Sequence, residues 1–288
     1  MGNCCQSVGS IFHDVTQDHF FHMMETGCVS EDCQLVLAID ATGSNDRTRF
    51  GGAVNYHDIS SPKKNIYESV IDIAVTLFKQ DRDGTIPLFF FGSTEANNDI
   101  NHPGVLFAGE YQVKGGDPGA LLAGYRQNIA CQILDGPTDF RQIFSVVANE
   151  VRKTKQYTVL IIISDGGVNV DIEGHLRSLR QISDLPLAIT CIGIGNGDFT
   201  TMQKFDDAEG RVLDNFQFTN MADVCSVENL YKMREYFFYH AFMEVPIHHK
   251  LCREKLHYEP TAQIVHVRRN RSVYLPAIVE QPGEGDTH

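Results

Sequence analysis

The 288 residues carry 24 basic and 37 acidic side chains, a net charge of −13, which argues against a nucleic-acid partner whose phosphates need a basic face. A hydrophobic fraction of 42% with 21% charged residues excludes a disordered chain. No apolar run approaches the roughly 18 residues of a membrane span, and the first thirty residues lack the apolar core of a secretory signal.

The chain opens MGNCCQSVGS. Removal of Met1 would expose Gly2 for myristoylation, but one such chain holds a membrane only marginally, on the order of 10⁴ M⁻¹. No polybasic patch adjoins it, since the first basic residue is Arg47. Palmitoylation of Cys4 or Cys5 supplies the second signal, placing the chain on the cytoplasmic face of the plasma membrane or another membrane, and in the cytoplasm if unacylated. One departure stands: Gln6 occupies the position where the common pattern has Ser or Thr.

Residues 1–30 are thus a lipid-modified segment with a short helix, followed by a domain over 31–250 and a tail over 251–288. Within the domain two kinds of segment alternate. Short apolar runs, CQLVLAID (33–40), IPLFFFGS (86–93), YTVLIIISD (157–165) and LPLAITCIGIG (185–195), lack polar alternation and fit strands covered on both faces. Between them NIYESVIDIAVTLFKQ, PGALLAGYRQNIACQI, FRQIFSVVANEVRK and DIEGHLRSLRQIS have helical spacing. The alternation predicts a doubly wound α/β sheet. VENLYKMREYFFYHAFMEV (227–245) is a further amphipathic helix packed on the sheet. From residue 251 the periodicity fades, and Arg268, Arg269 and Arg271 read as a solvated basic run in the tail. With no export signal the cysteines are read as thiols; Cys131 and Cys191, among apolar neighbours, are assigned to the core.

In open α/β sheets, sites form at the carboxyl ends of strands. The first run ends in Asp40 and continues ATGSN, so Asp40, Thr42 and Ser44 sit at alternate positions and point the same way in extended backbone. The third run ends in SDGG, which puts Asp165 at another tip, and GPTDF puts Thr138 on a loop before a helical segment. All these donors are oxygen, which suits Mg²⁺ or Mn²⁺ with water completing the shell. Two carboxylates and three hydroxyls leave such a cation incompletely neutralised and open to a carboxylate from a partner protein.

DATGS, the loop threonine and SDG resemble the metal-ion-dependent adhesion site of von Willebrand factor A domains. The ordered blocks AIDATGSN, GYRQNIACQILDGPTDF, IIISDGGV, SDLPLAITCIGIGNGDFTTMQKFDD and FMEVP look like the A domain of copines over roughly residues 31–250. The resemblance implies a six-stranded, mainly parallel sheet flanked by helices, with metal ligation by Asp40, Thr42, Ser44, Thr138 and Asp165. Full-length copines resemble two calcium-dependent phospholipid-binding domains joined to this A domain, for which the sequence leaves no room; calcium-triggered membrane binding is not carried over. Some plant copines begin with a similar MGNCC. A related plant family joins such a domain to a zinc-binding RING module acting in ubiquitin transfer, but Cys252 with His248, His249, His257 and His266 are too few ligands at the wrong spacing. The expectation is therefore a non-enzymatic interaction module, with a component of ubiquitin transfer as one alternative.

The other alternative is a metal-dependent hydrolase, which needs a general base and a concave pocket beside the metal. Most histidines lie away from these strand tips, and His175, the nearest to Asp165 in sequence, is expected to be exposed on a helix. GIGNGDF (193–199) has the wrong glycine spacing for a dinucleotide site and reads as a turn leaving the fourth strand.

Overall fold

The computed structural model describes residues 16–25, 33–77, 83–93, 104–168, 170–224 and 230–259. The apolar runs become β1 (Cys33–Asp40), β2 (Thr85–Phe91), β4 (Tyr157–Ser164) and β5 (Leu187–Gly193). All eight positions of β4 and all seven of β5 are buried, as strands packed on both faces require. Two strands escape the run criterion: β3 (Val105–Gln112), antiparallel to β2, and the five-residue β6 (Phe216–Asn220). The sheet is six-stranded in the order β3-β2-β1-β4-β5-β6, parallel except for β3.

Alternate side chains of each strand feed two cores. Leu35, Leu37 and Ile39 of β1 and Val159, Ile161 and Ile163 of β4 meet α1 (Gln17–Glu25), α2 (Ile66–Leu77), α3 (Gly119–Ile129), α8 (Leu230–Phe242) and α9 (Val245–Lys255). Val36, Ala38, Leu160 and Ile162 face α4 (Arg141–Thr154), α5 (Ile172–Ile182) and α6 (Thr200–Asp206). A single turn, α7 (Met221–Val224), follows β6. At the start of α2, Glu68 N–H donates to Asn65 Oδ1 at 2.9 Å while Asn65 N–H donates to Glu68 Oε2 at 3.0 Å, a reciprocal cap.

Three expectations change. Helix α9 runs through residue 250 to Lys255, and Cys252 and Tyr258 are buried in the first core, so order continues past the point where periodicity fades in the sequence. Cys191 is buried, but Cys131 is exposed, because α3 ends at Ile129 and the chain turns outward. His175 is fully buried, because the face of α5 that carries it packs against Phe140, Phe144 and Phe205. Among the described residues no helix is long and apolar enough to cross a membrane.

Candidate functional site

Strand order reverses between β1 and β4, where the connections leave for opposite faces and the strand tips open a crevice. Ile39 pairs with Ile163, so the next residues, Asp40 and Ser164, stand side by side at this reversal. Thr42 N–H donates to Asp40 Oδ1 at 2.9 Å, which turns the chain back over the strand end. Thr42 Oγ1 and Ser44 Oγ lie 2.9 Å apart, and Ser44 Oγ–H reaches across the reversal to Asp165 Oδ1 at 2.7 Å. Four of the five residues singled out in the sequence therefore form one hydrogen-bonded cluster.

Thr138 is buried on the loop before α4, and no hydrogen bond among the described residues joins it to the other four. Its loop reaches the cluster by close backbone approach. A Cβ on Gly43 would stand 3.5 Å from Leu134 O and 3.7 Å from Asp135 Cα, and Arg49 Nη1–H donates to Leu134 O at 2.8 Å. Gly2, Cys4 and Cys5 lie outside the described residues.

A second layer holds the carboxylates, and sequence reading misses it. Ser164 Oγ–H donates to Asp40 Oδ2, and Asn45 Nδ2–H to Asp40 Oδ1 at 3.2 Å. Tyr67 O–H donates to Asn45 Oδ1 at 2.6 Å. Beneath them His57 Nε2–H donates to the Asp40 carbonyl at 2.7 Å while Nδ1 accepts from Tyr125 O–H at 2.7 Å. Burial pushes the His57 imidazole down to about 4, and both nitrogens are engaged, so it acts as a neutral strut rather than the base a hydrolase needs. The signals were Ser164 beside Asp165 and Asn45 beside Ser44; His57 and Tyr67 arrive only through tertiary packing.

Electrostatics at the reversal are unbalanced. Asp40 and Asp165 are both 0% exposed. Burial, then the Asp165 charge, pushes Asp40 up to about 7; burial also raises Asp165, against the hydrogen bond from Ser44 and the charge of Arg47. Asp165 Oδ2 is buried with no hydrogen-bond partner among the described residues. Two desolvated carboxylates with one oxygen unanswered are costly unless a cation joins them. Among the described residues no three His, Cys, Asp or Glu side chains gather in metal-ligand geometry, so a cation here would rest on two carboxylates and hydroxyls. That donor set fits a hard divalent ion.

The loops around the tips are pressed together. Gly92 has φ 78°, and a Cβ there would run into Thr42 Cγ2. A Cβ on Gly197 would meet Asp165 O, and one on Gly167 would meet Asp198 O. GIGNGDF is thus a close-packed turn leaving β5, which seats the Asp165 loop.

A mainly parallel sheet with one antiparallel edge, carrying a DATGS element opposite an SDG loop across the reversal of strand order, defines an A domain of the von Willebrand factor type. The copine family pattern matches residues 55–261, and the chain belongs to the copine family. It is 32% identical over 246 residues to the E3 ubiquitin-protein ligase RGLG1 of Arabidopsis thaliana, covering 78% of this chain and 48% of that protein. With the E3 ubiquitin-protein ligase RGLG3 of the same plant it shares 33% over 237 residues, 76% of this chain and 63% of the relative. Copine-B of Dictyostelium discoideum is 29% identical over 204 residues, 69% of this chain and 37% of the relative. Among solved structures, the SpRpn10 VWA domain covers 66% of this chain and 87% of its own at 15% identity and a TM-score of 0.43. The chain spans about half the length of the curated relatives it matches. The sequence reading of a non-enzymatic chain is corrected by these relatives: proteins named E3 ubiquitin-protein ligases are enzymes.

Proposed function

We propose that this chain is a membrane-anchored, metal-dependent protein-interaction module. In this reading Asp40, Thr42, Ser44, Thr138 and Asp165 hold Mg²⁺ or Mn²⁺, directly or through water, and a partner protein offers an Asp or Glu carboxylate to the open face. The ion supplies a positive centre that neither buried carboxylate can offer a partner. The chain's own residues do the rest: Ser164 and Asn45 fix the rotamer of Asp40, Ser44 ties Asp165 to the β1 tip, and His57 braces the strand end from below. The observation that carries the reading is the buried, unpartnered Asp165 Oδ2 beside the fully buried Asp40. Capture of partners from membrane-derived lysate in Mg²⁺, in EDTA and with Asp40→Ala tests it; equal capture in all three refutes it.

The acyl anchor at Gly2 with Cys4 or Cys5 is a separate part of the proposal. Gly2→Ala should release the protein from the membrane fraction, and unchanged association refutes the anchor. A second reading, a role in ubiquitin transfer, is supported by the relatives named as ligases. Here the A domain would contribute partner recognition to a conjugation system. Partners captured through the site should then carry ubiquitin in cells that express the chain and lose it with Asp40→Ala; ubiquitin levels that ignore this substitution count against the second reading.

A further inference from the structure

Of the ten prolines in the chain only Pro62 follows a serine or threonine, and the run around it reads SSPKK (60–64). The run lies within residues 58–65, which lead into α2 and belong to no helix or strand. Ser60, Pro62, Lys63 and Lys64 are exposed and Ser61 is half-buried. Pro62 biases Ser61 toward extended backbone, the form in which a substrate segment enters a kinase cleft. The two serines differ in what surrounds the hydroxyl. The Ser60 hydroxyl and amide both bond the Asp58 carboxylate, the amide at 2.9 Å, so a phosphate on Ser60 would meet a like charge. Ser61 stands among cations instead. Its Oγ accepts the Lys63 N–H at 3.1 Å, and Arg126 reaches the backbone on both sides of Pro62, Nη1–H donating to Ser61 O and Nη2–H to Lys63 O, each at 3.2 Å. Glu68 fixes this guanidinium by accepting from Nε at 2.6 Å and from Nη2 at 2.9 Å. Lys64 pairs with Asp72 at 3.1 Å, whereas Lys63 forms no ion pair among the described residues.

We propose that Ser61 is a phosphorylation site for a proline-directed protein kinase that also reads a cation three positions on, here Lys64, and that Lys63 and Arg126 hold the phosphate. In the transfer Ser61 Oγ attacks the γ-phosphorus of ATP, and the bond from that phosphorus to the β–γ bridging oxygen breaks. ADP leaves, and the hydroxyl proton passes to the kinase's catalytic carboxylate. The product adds about 1.5–2 negative charges and three acceptor oxygens. Beside an ammonium and a guanidinium these oxygens take charge-assisted hydrogen bonds, which tie the segment down. Arg126 follows Tyr125, whose hydroxyl holds His57 under the Asp40 carbonyl, so the phosphate bears on the loop that braces the β1 tip.

Incubation of the folded full-length chain with a purified cyclin-dependent kinase and ATP tests the site. Mass-spectrometric mapping should place the phosphate on Ser61. Incorporation should vanish in Ser61→Ala and fall severalfold in Pro62→Ala, while Ser60→Ala is labelled like the unsubstituted chain. No incorporation into the folded chain, or the same incorporation in Ser61→Ala, would overturn the site. Phosphorus NMR of the phosphorylated chain tests how the phosphate is held. Its second pKa should lie about 0.5 below that of the same chain unfolded in urea, because neighbouring cations favour the dianion, and Lys63→Ala should bring it partway back. Equal values in the folded and unfolded chain would overturn the roles given to Lys63 and Arg126.

Discussion

His175 offers the sharpest test of how the Thr138 loop is held. Its ring stacks on Phe205 at 5.5 Å and 11° and meets Phe140 edge-on at 6.2 Å. Nε2 lies 3.0 Å from the Phe140 amide nitrogen and 3.1 Å from Asp139 Oδ1, and Nδ1 lies 3.0 Å from Asp171 O. The imidazole thus pins the backbone two residues beyond Thr138 to α5. His175→Ala removes a fully buried ring, about 3 kcal/mol by analogy with other large-to-small core changes. It also strands a buried N–H, about 1–3 kcal/mol more. The sum is about 4–6 kcal/mol, a large share of the 5–15 kcal/mol by which domains are typically stable. His175→Phe keeps the ring and loses only the hydrogen bonds, so it should cost about half as much. Guanidinium unfolding followed by circular dichroism measures both, and hydrogen exchange at the Phe140 amide should accelerate in each variant. A cost below about 1 kcal/mol for His175→Ala would refute the reasoning, because a side chain that holds a loop cannot be removed so cheaply.

Three further outcomes are expected. Mg²⁺ at a hundredfold excess over its Kd should stabilise the protein by about 2.7 kcal/mol, and Asp165→Asn should abolish this shift without destabilising the metal-free protein; an unchanged Mg²⁺ response in the thermal melt would count against the site. Burial, then Asp214 and Asp206, push the Glu244 carboxyl from 4.5 up to about 9, so the folded state keeps a proton that the unfolded chain releases. Stability should therefore fall as pH rises through that window, by up to about 1.4 kcal/mol per unit, and Glu244→Gln should flatten the denaturation profile; parallel profiles for the two proteins would show the carboxyl to be ionised in the fold. Gly92→Ala should cost about 1–2 kcal/mol for its left-handed backbone alone, and it should weaken Mg²⁺ binding by pushing on Thr42; calorimetry that finds both unchanged would mean the turn has slack.

The legible strands were those buried on both faces, since an unbroken apolar run between turn residues has no polar side to turn toward water. β3 escaped because it is an edge strand whose side chains are mostly half-buried or exposed, with Gly109 at φ 137° where its register with β2 shifts. β6 escaped because its five residues FQFTN carry Gln217 and Thr219, whose side chains both donate to the His240 carbonyl of α8. At the site, Asp40, Thr42, Ser44 and Asp165 could be read from strand-tip spacing, because their grouping follows from local backbone geometry and one sheet pairing. His57, Tyr67 and Tyr125 could not, because His57 and Tyr67 reach the Asp40 carbonyl, and Tyr125 reaches His57, through helix or loop packing that leaves no mark on local spacing. The exposure expected of His175 failed for a related reason: a polar ring on an amphipathic helix looks solvated until its hydrogen-bond partners on another segment are known.

The contacts at Gly167 and Gly197 have a consequence for any redesign of the loops around the Asp165 tip. Two turns that abut with no room for a methyl group behave as one machined part, so randomising either one spoils the seat of Asp165. Two exposed apolar positions near the β1 tip are more tolerant. Val54 and Ile133 are 45% and 48% exposed, on segments joined to the β1 tip by the backbone bond from Arg47 N–H to Val54 O and the contact of Arg49 with Leu134 O. A library confined to Val54 and Ile133 themselves would vary exposed side chains while sparing Thr138 and also Leu134, Tyr56 and His57, which hold the cluster.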